Sequence, residues 1–155
     1  MTLLFDATIN LNPENICFPP EIRRIYRLPK DASQTVNSSI LHETILAEID
    51  TVGKLPENWD GYGSAVPDPI SVKSAKLLIG LNPQLFQSDF RPEISADGEG
   101  RVIIEWYHQS KTLALFVGAQ ETIVVQSWGP NDKTEDSLLS SQDKLPKLWD
   151  WLFRR

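Results

Sequence analysis

Apolar residues recur at helical spacing in the first clear segment of the chain. From about Ser38 or Ser39 to Val52, Leu41, Ile45, Ile49 and Val52 fall on one stripe, with Glu43, Glu48 and Asp50 set off it. Gly53 is a suitable stop. Val66-Pro67-Asp68-Pro69 then reads as the entrance to a second helix, because Asp68 can cap free amides and Pro69 suits the first helical position. That helix is expected to run to about Leu81, burying Val72, Ala75, Leu78 and Ile79 with Lys73 and Lys76 off the buried face, and to end at Asn82-Pro83.

Beyond residue 90 the period changes to two. Pro92-Glu93-Ile94-Ser95 reads as a short edge strand, followed by the hairpin signal Ala96-Asp97-Gly98-Glu99-Gly100. Arg101 to His108 sets Val102, Ile104 and Trp106 against Ile103, Glu105 and Tyr107 on the other face. Leu113 to Val117 is apolar on both faces and predicts a central strand. In the next strand Ile123, Val125 and Ser127 oppose Val124, Gln126 and Trp128, up to Gly129-Pro130. Short connections predict an antiparallel meander. Asn131 to Gln142 is polar and reads as a loop with a helical turn at Leu138-Leu139; Leu145 to Phe153 reads as a closing helix. Leu145, Leu148, Trp149 and Leu152 share one side of that helix, Trp151 falls away, and Arg154 and Arg155 stand at its negative end.

The expected architecture is α+β: a three- to four-stranded antiparallel meander with two helices before it and one after, the helices packed on one face. Residues 37–155 form this single domain. Residues 1–36 read as an arm, since Leu3 to Leu11 shows no clean alternation and Phe18 to Pro29 mixes apolar residues with a basic cluster. Two readings stand for it: folding over the domain with Ile22, Ile25 and Leu28 buried, or an extended segment that binds a partner or makes an oligomer.

Between the two helices lies Leu55-Pro56-Glu57-Asn58-Trp59-Asp60-Gly61-Tyr62-Gly63. Gly61 and Gly63 permit positive φ, Pro56 disfavours helix at Leu55, and Asn58 and Asp60 can bond neighbouring amides. Trp59 and Tyr62 offer buried area with a polar tip each. The segment is either a rigid corner whose rings plug the core or a ligand or partner loop. With the later D-G-x-G-x-(apolar)-x-x-E-W strand, it resembles a family of small uncharacterised bacterial proteins sharing an L-P-x-N-W-D-G-Y-G motif. The resemblance covers roughly residues 40 to 130 and implies no catalytic assignment.

Composition narrows the function classes. A 155-residue chain with 41% hydrophobic and 23% charged residues can build one core without staples. A net charge of −6 disfavours a phosphate-backbone partner, and residues 1–36 hold balanced charge, so the excess acid lies on the domain. Cys17, the sole cysteine, excludes an internal disulfide and fits a reducing compartment. The sequence from Met1 to Asp6 does not read as a signal peptide, and no apolar run approaches bilayer length, so the expected location is cytoplasmic, with no membrane partner.

The candidate chemistry is sparse. Arg101 and His108 are spaced as in the R-x(4–6)-H signature of the HEPN ribonucleases, but that signature needs a helix and this segment reads as a strand. Glu105 shares a strand face with Tyr107 and is the carboxylate expected to approach the central segment. The two histidines and scattered acids show no metal-ligand spacing, and no phosphate-cradling or nucleophile-elbow motif occurs. No catalytic residue, cofactor or metal is expected. Binding is the stronger expectation, through Asn58, Trp59, Asp60, Tyr62 and Glu105 at the loop, and through Trp128 and Trp151, which lie on the less apolar sides of their elements and are expected to be exposed. This points to a bacterial protein acting through a protein partner or homo-oligomer, in the manner of an antitoxin, immunity protein or inhibitor. The alternative is a small enzyme or ligand-binding protein using residues 58–63.

Overall fold

The computed structural model describes residues 38–82, 90–131 and 133–154; the readings for the 1–36 arm and for Arg155 lie outside them. Two helices come first, α1 (Ser38–Val52) and α2 (Pro69–Leu81). Five strands follow, β1 (Glu93–Ala96), β2 (Val102–His108), β3 (Lys111–Val117), β4 (Thr122–Trp128) and β5 (Lys133–Leu138). A 3-10 turn at Gln142–Lys144 leads into α3 (Leu145–Phe153). The sheet is antiparallel throughout with strand order β1-β2-β3-β4-β5.

The α+β class and the helix order follow the hydrophobic pattern. The strand count does not: residues 133–138 form a fifth strand where the sequence reads as a loop, and Leu138 ends that strand instead of forming a helical turn. All six of its residues are exposed, so it has no buried face to impose an alternating pattern. Its order comes from the backbone ladder to β4, from Ile123 opposite Leu138 to Trp128 opposite Lys133, fed by a turn with Gly129 at φ 79°. Its charged residues suit the outermost position in a sheet, where they discourage pairing with another chain.

The core lies between the sheet and the helices. Val102, Ile104 and Trp106 of β2, Leu113, Leu115 and Val117 of β3 and Val124 of β4 meet Leu41, Ile45 and Ile49 of α1, Ala75, Leu78 and Ile79 of α2, and Leu145 and Leu152 of α3. Each of the three described helices thus packs on the same face of the sheet. The first two helices approach closely at Gly53, where a Cβ would stand 3.0 Å from Val72 Cγ2, and an Asp50–Lys76 ion pair at 2.8 Å ties their outer sides. Glu48 pairs with Arg91; burial pushes its carboxyl above the ordinary range, and the Arg91 charge only partly opposes that.

At the other end of the core, α3 is held by its C-terminal carbonyls, which a helix leaves without internal donors. Lys111 Nζ donates to Trp151 O at 2.9 Å and to Arg154 O at 2.6 Å, and His108 Nδ1 lies 3.1 Å from Leu152 O. Rings close the same corner: Trp149 meets Trp106 and Phe153 edge-on, and Phe90, His108 and Phe153 all touch one another. The cation at the negative helix end comes from the β2–β3 hairpin.

Two substitutions separate core from periphery. Trp106→Ala, which empties the largest fully buried side chain, is expected to cost about 3–5 kcal/mol in urea unfolding. Trp128→Ala, at a half-buried site, is expected to cost about 1 kcal/mol.

Candidate functional site

The 55–63 segment folds as a self-bonded corner. Asn58 takes φ 58°, a left-handed conformation that asparagine tolerates better than most residues, and Gly61 and Gly63 take φ 79° and 84°. These reversals let the loop satisfy its own amides. Gly63 N donates to Asn58 Oδ1 at 2.6 Å, Tyr62 N to Asp60 Oδ1 at 2.9 Å, Gly61 N to Asn58 O at 3.0 Å and Asn58 N to Ser64 O at 2.8 Å. The Ser64 hydroxyl donates to Asp60 Oδ2. That hydroxyl, aided by the Tyr62 and Ser64 amides, holds the Asp60 carboxyl below the ordinary aspartate range against the opposing effect of burial.

The corner is clamped to the β1–β2 turn. Ala65 N donates to Gly98 O at 3.0 Å, and Asp68 N donates to Gly100 O at 2.9 Å. Gly100 has φ 81°, and a Cβ there would stand 2.7 Å from Val66 O. Asp97 organises the turn itself, accepting from Glu99 N and Arg101 N while binding the Arg101 guanidinium. Asp68 then caps α2 through Ile70 N at 2.6 Å and Ser71 N at 3.3 Å.

The structure does not bring all the sequence-derived candidates together. Asn58, Trp59, Asp60 and Tyr62 share the corner, but the expectation that both rings plug the core fails for Tyr62, which is 59% exposed. Trp59 is half-buried, outside the main core, with its indole N–H buried and lacking an acceptor among the described residues. Glu105 does not approach the corner, because it sits in mid-β2 on the sheet face opposite the helices. Trp128 and Trp151 are half-buried instead of exposed: their rings meet edge-on at 6.0 Å, and Lys111 lies 5.3 Å from the Trp151 ring. Arg101 precedes β2 and His108 ends it, so the strand separates the two. Among the described residues no group of three or more histidine, cysteine, aspartate or glutamate side chains could hold a metal ion.

A surface that the sequence reading passed over lies on the outer side of α2. Ile70, Leu77 and Leu81 are 57%, 54% and 62% exposed, and Val66 just before the helix is also exposed. Their signal is present in the sequence as a second apolar stripe, at intervals of seven and four, hidden by the stronger stripe facing the core. Beside it an open groove of about 500 Å³ is lined by Leu46, Asp50, Pro69, Val72, Lys73, Lys76 and Leu77. No helix among the described residues is long and apolar enough to cross a membrane. The chain matches no family model, no curated protein and no solved structure.

Asp60→Asn is expected to lower stability by about 1–2 kcal/mol near neutral pH. A carboxyl with a depressed folded pKa contributes stability above its unfolded pKa and loses it as pH falls through the folded value, so the deficit should shrink in acid. Urea titrations across acidic pH read this directly. Gly100→Ala should cost about 2–3 kcal/mol in the same assay, because the new Cβ meets backbone.

Proposed function

We propose that the protein is a non-catalytic binding module that acts through contacts between protein chains, and that its first partner is a second copy of itself. The observation that carries this is the exposed apolar stripe on α2. Ile70, Ser74, Leu77 and Leu81 lie along one side of α2, and Val66 precedes the helix. Two such helices laid antiparallel set Ile70 against Leu77 of the other copy, with the small Ser74 near the axis. A two-fold contact requires such a self-complementary patch. The helix is anchored from behind by Ala75, Leu78 and Ile79, so the stripe is presented on a rigid support.

The polar groups of the 58–63 corner serve a different end. Asn58 and Asp60 direct their side-chain oxygens at the loop's own amides, which supports a scaffolding role over a reactive one. Antitoxin-, immunity- or inhibitor-like proteins are one form that such a module takes.

Light scattering coupled to size exclusion is the test. The wild-type chain should be dimeric at micromolar concentration, and Leu77→Asp should yield a folded monomer whose urea midpoint, unlike that of the wild type, does not depend on protein concentration. A wild-type chain that stays monomeric over the accessible concentration range would contradict self-association.

A further inference from the structure

In the antiparallel α2 pair, symmetry brings together two charges that are far apart in separate chains. Setting Ile70 against Leu77 of the second copy puts the two-fold axis midway between positions 73 and 74. The Cα atoms of the two Lys73 residues then lie about 1.5 Å apart along the helix direction. Around the helix Lys73 is turned about 40° from Leu77. The turn is toward α1, where Lys73 lines the open groove with Leu46, Val72 and Lys76. A two-fold axis normal to an antiparallel helix pair keeps each flank on its own side of the contact, so both lysines stand on one rim. With the helix axes about 8–10 Å apart, their ammonium groups can reach one shared site.

The groove supplies nothing to neutralise them. Lys73 is exposed and makes no ion pair among the described residues. Asp50, the carboxylate that lines the groove, is bonded through both oxygens to Lys76, at 2.8 and 2.9 Å. Association also dries the neighbouring Ile70 and Leu77 side chains, which weakens the screening between the two cations. We propose, on the premise of the α2 contact, that a phosphate group, free or esterified, binds on the two-fold axis between Lys73 of one copy and Lys73 of the other. A doubly charged oxyanion answers both ammonium groups at once through separate oxygens, which a chloride ion cannot do. The site exists only in the pair, so the anion stabilises the dimer by linkage. A chain of formal net charge −6 has no general attraction for anions, and the effect is therefore local to this rim.

Sedimentation velocity on dilution series of the full chain tests this in chloride, in inorganic phosphate and in glycerol phosphate, at one pH and matched ionic strength. Matching is needed because any salt screens the repulsion between two acidic chains. Phosphate should tighten the wild-type dimer several-fold relative to chloride. A stronger effect of glycerol phosphate assigns the site to an esterified phosphate, and a weaker one to the free ion. Lys73→Gln should dimerise more tightly than the wild type in chloride, because the repulsion is gone, and should not respond to phosphate. Lys147→Gln, at an exposed position of α3, should respond as the wild type does. A wild-type dimer indifferent to both phosphates, or a response that survives Lys73→Gln, would overturn the site while leaving the α2 contact standing. A chain that is monomeric in every buffer would overturn both.

Discussion

Two backbone hydrogen bonds, Ala65 N–H to the Gly98 carbonyl and Asp68 N–H to the Gly100 carbonyl, join the interhelical corner to the first hairpin turn. On the near side the chain has just left α1, and on the far side Asp68 begins α2. The clamp therefore fixes where the second helix starts relative to the strand that carries Val102, Ile104 and Trp106. It works only because each partner is already rigid: Asn58 and Asp60 stiffen the corner, Asp97 stiffens the turn, and Gly100 lets the two backbones touch. A side chain at Gly100 would separate them, and with them the two layers of the core.

What could be read from the sequence follows from what has a buried face. The helices announce themselves by stripes that the core requires, and β2 to β4 by alternation or by continuous apolar runs. β5 has no such face, and its polar residues resemble a loop because sheet edges and loops are both solvated. The Asn58 and Asp60 turns were legible as local chemistry. Their docking on the β1–β2 turn was not, since it joins residues more than thirty positions apart by backbone groups that every sequence possesses. Glu105 meets a related limit: alternation gives the face of a residue but does not say on which face the helices settle.

The tryptophans show the same limit. Trp128 and Trp151 occupy the less apolar sides of their elements, which taken alone implies exposure. In the folded chain the two rings meet edge-on, while Lys111 donates to carbonyls at the C-terminal end of α3. Aromatic area is used for seating α3, whereas the outer side of α2 exposes the aliphatic residues Ile70, Leu77 and Leu81, and the proposed contact between copies uses them.

Native-state hydrogen exchange at Ala65 and Asp68 tests the clamp most directly. If those two bonds seat the helices on the sheet, their amides should open only with global unfolding, with protection close to that of Ile104 and Leu115 in the centre of the sheet. Exchange at the rate of an exposed loop, with the strand amides still protected, would contradict the account and leave the corner a mere connector.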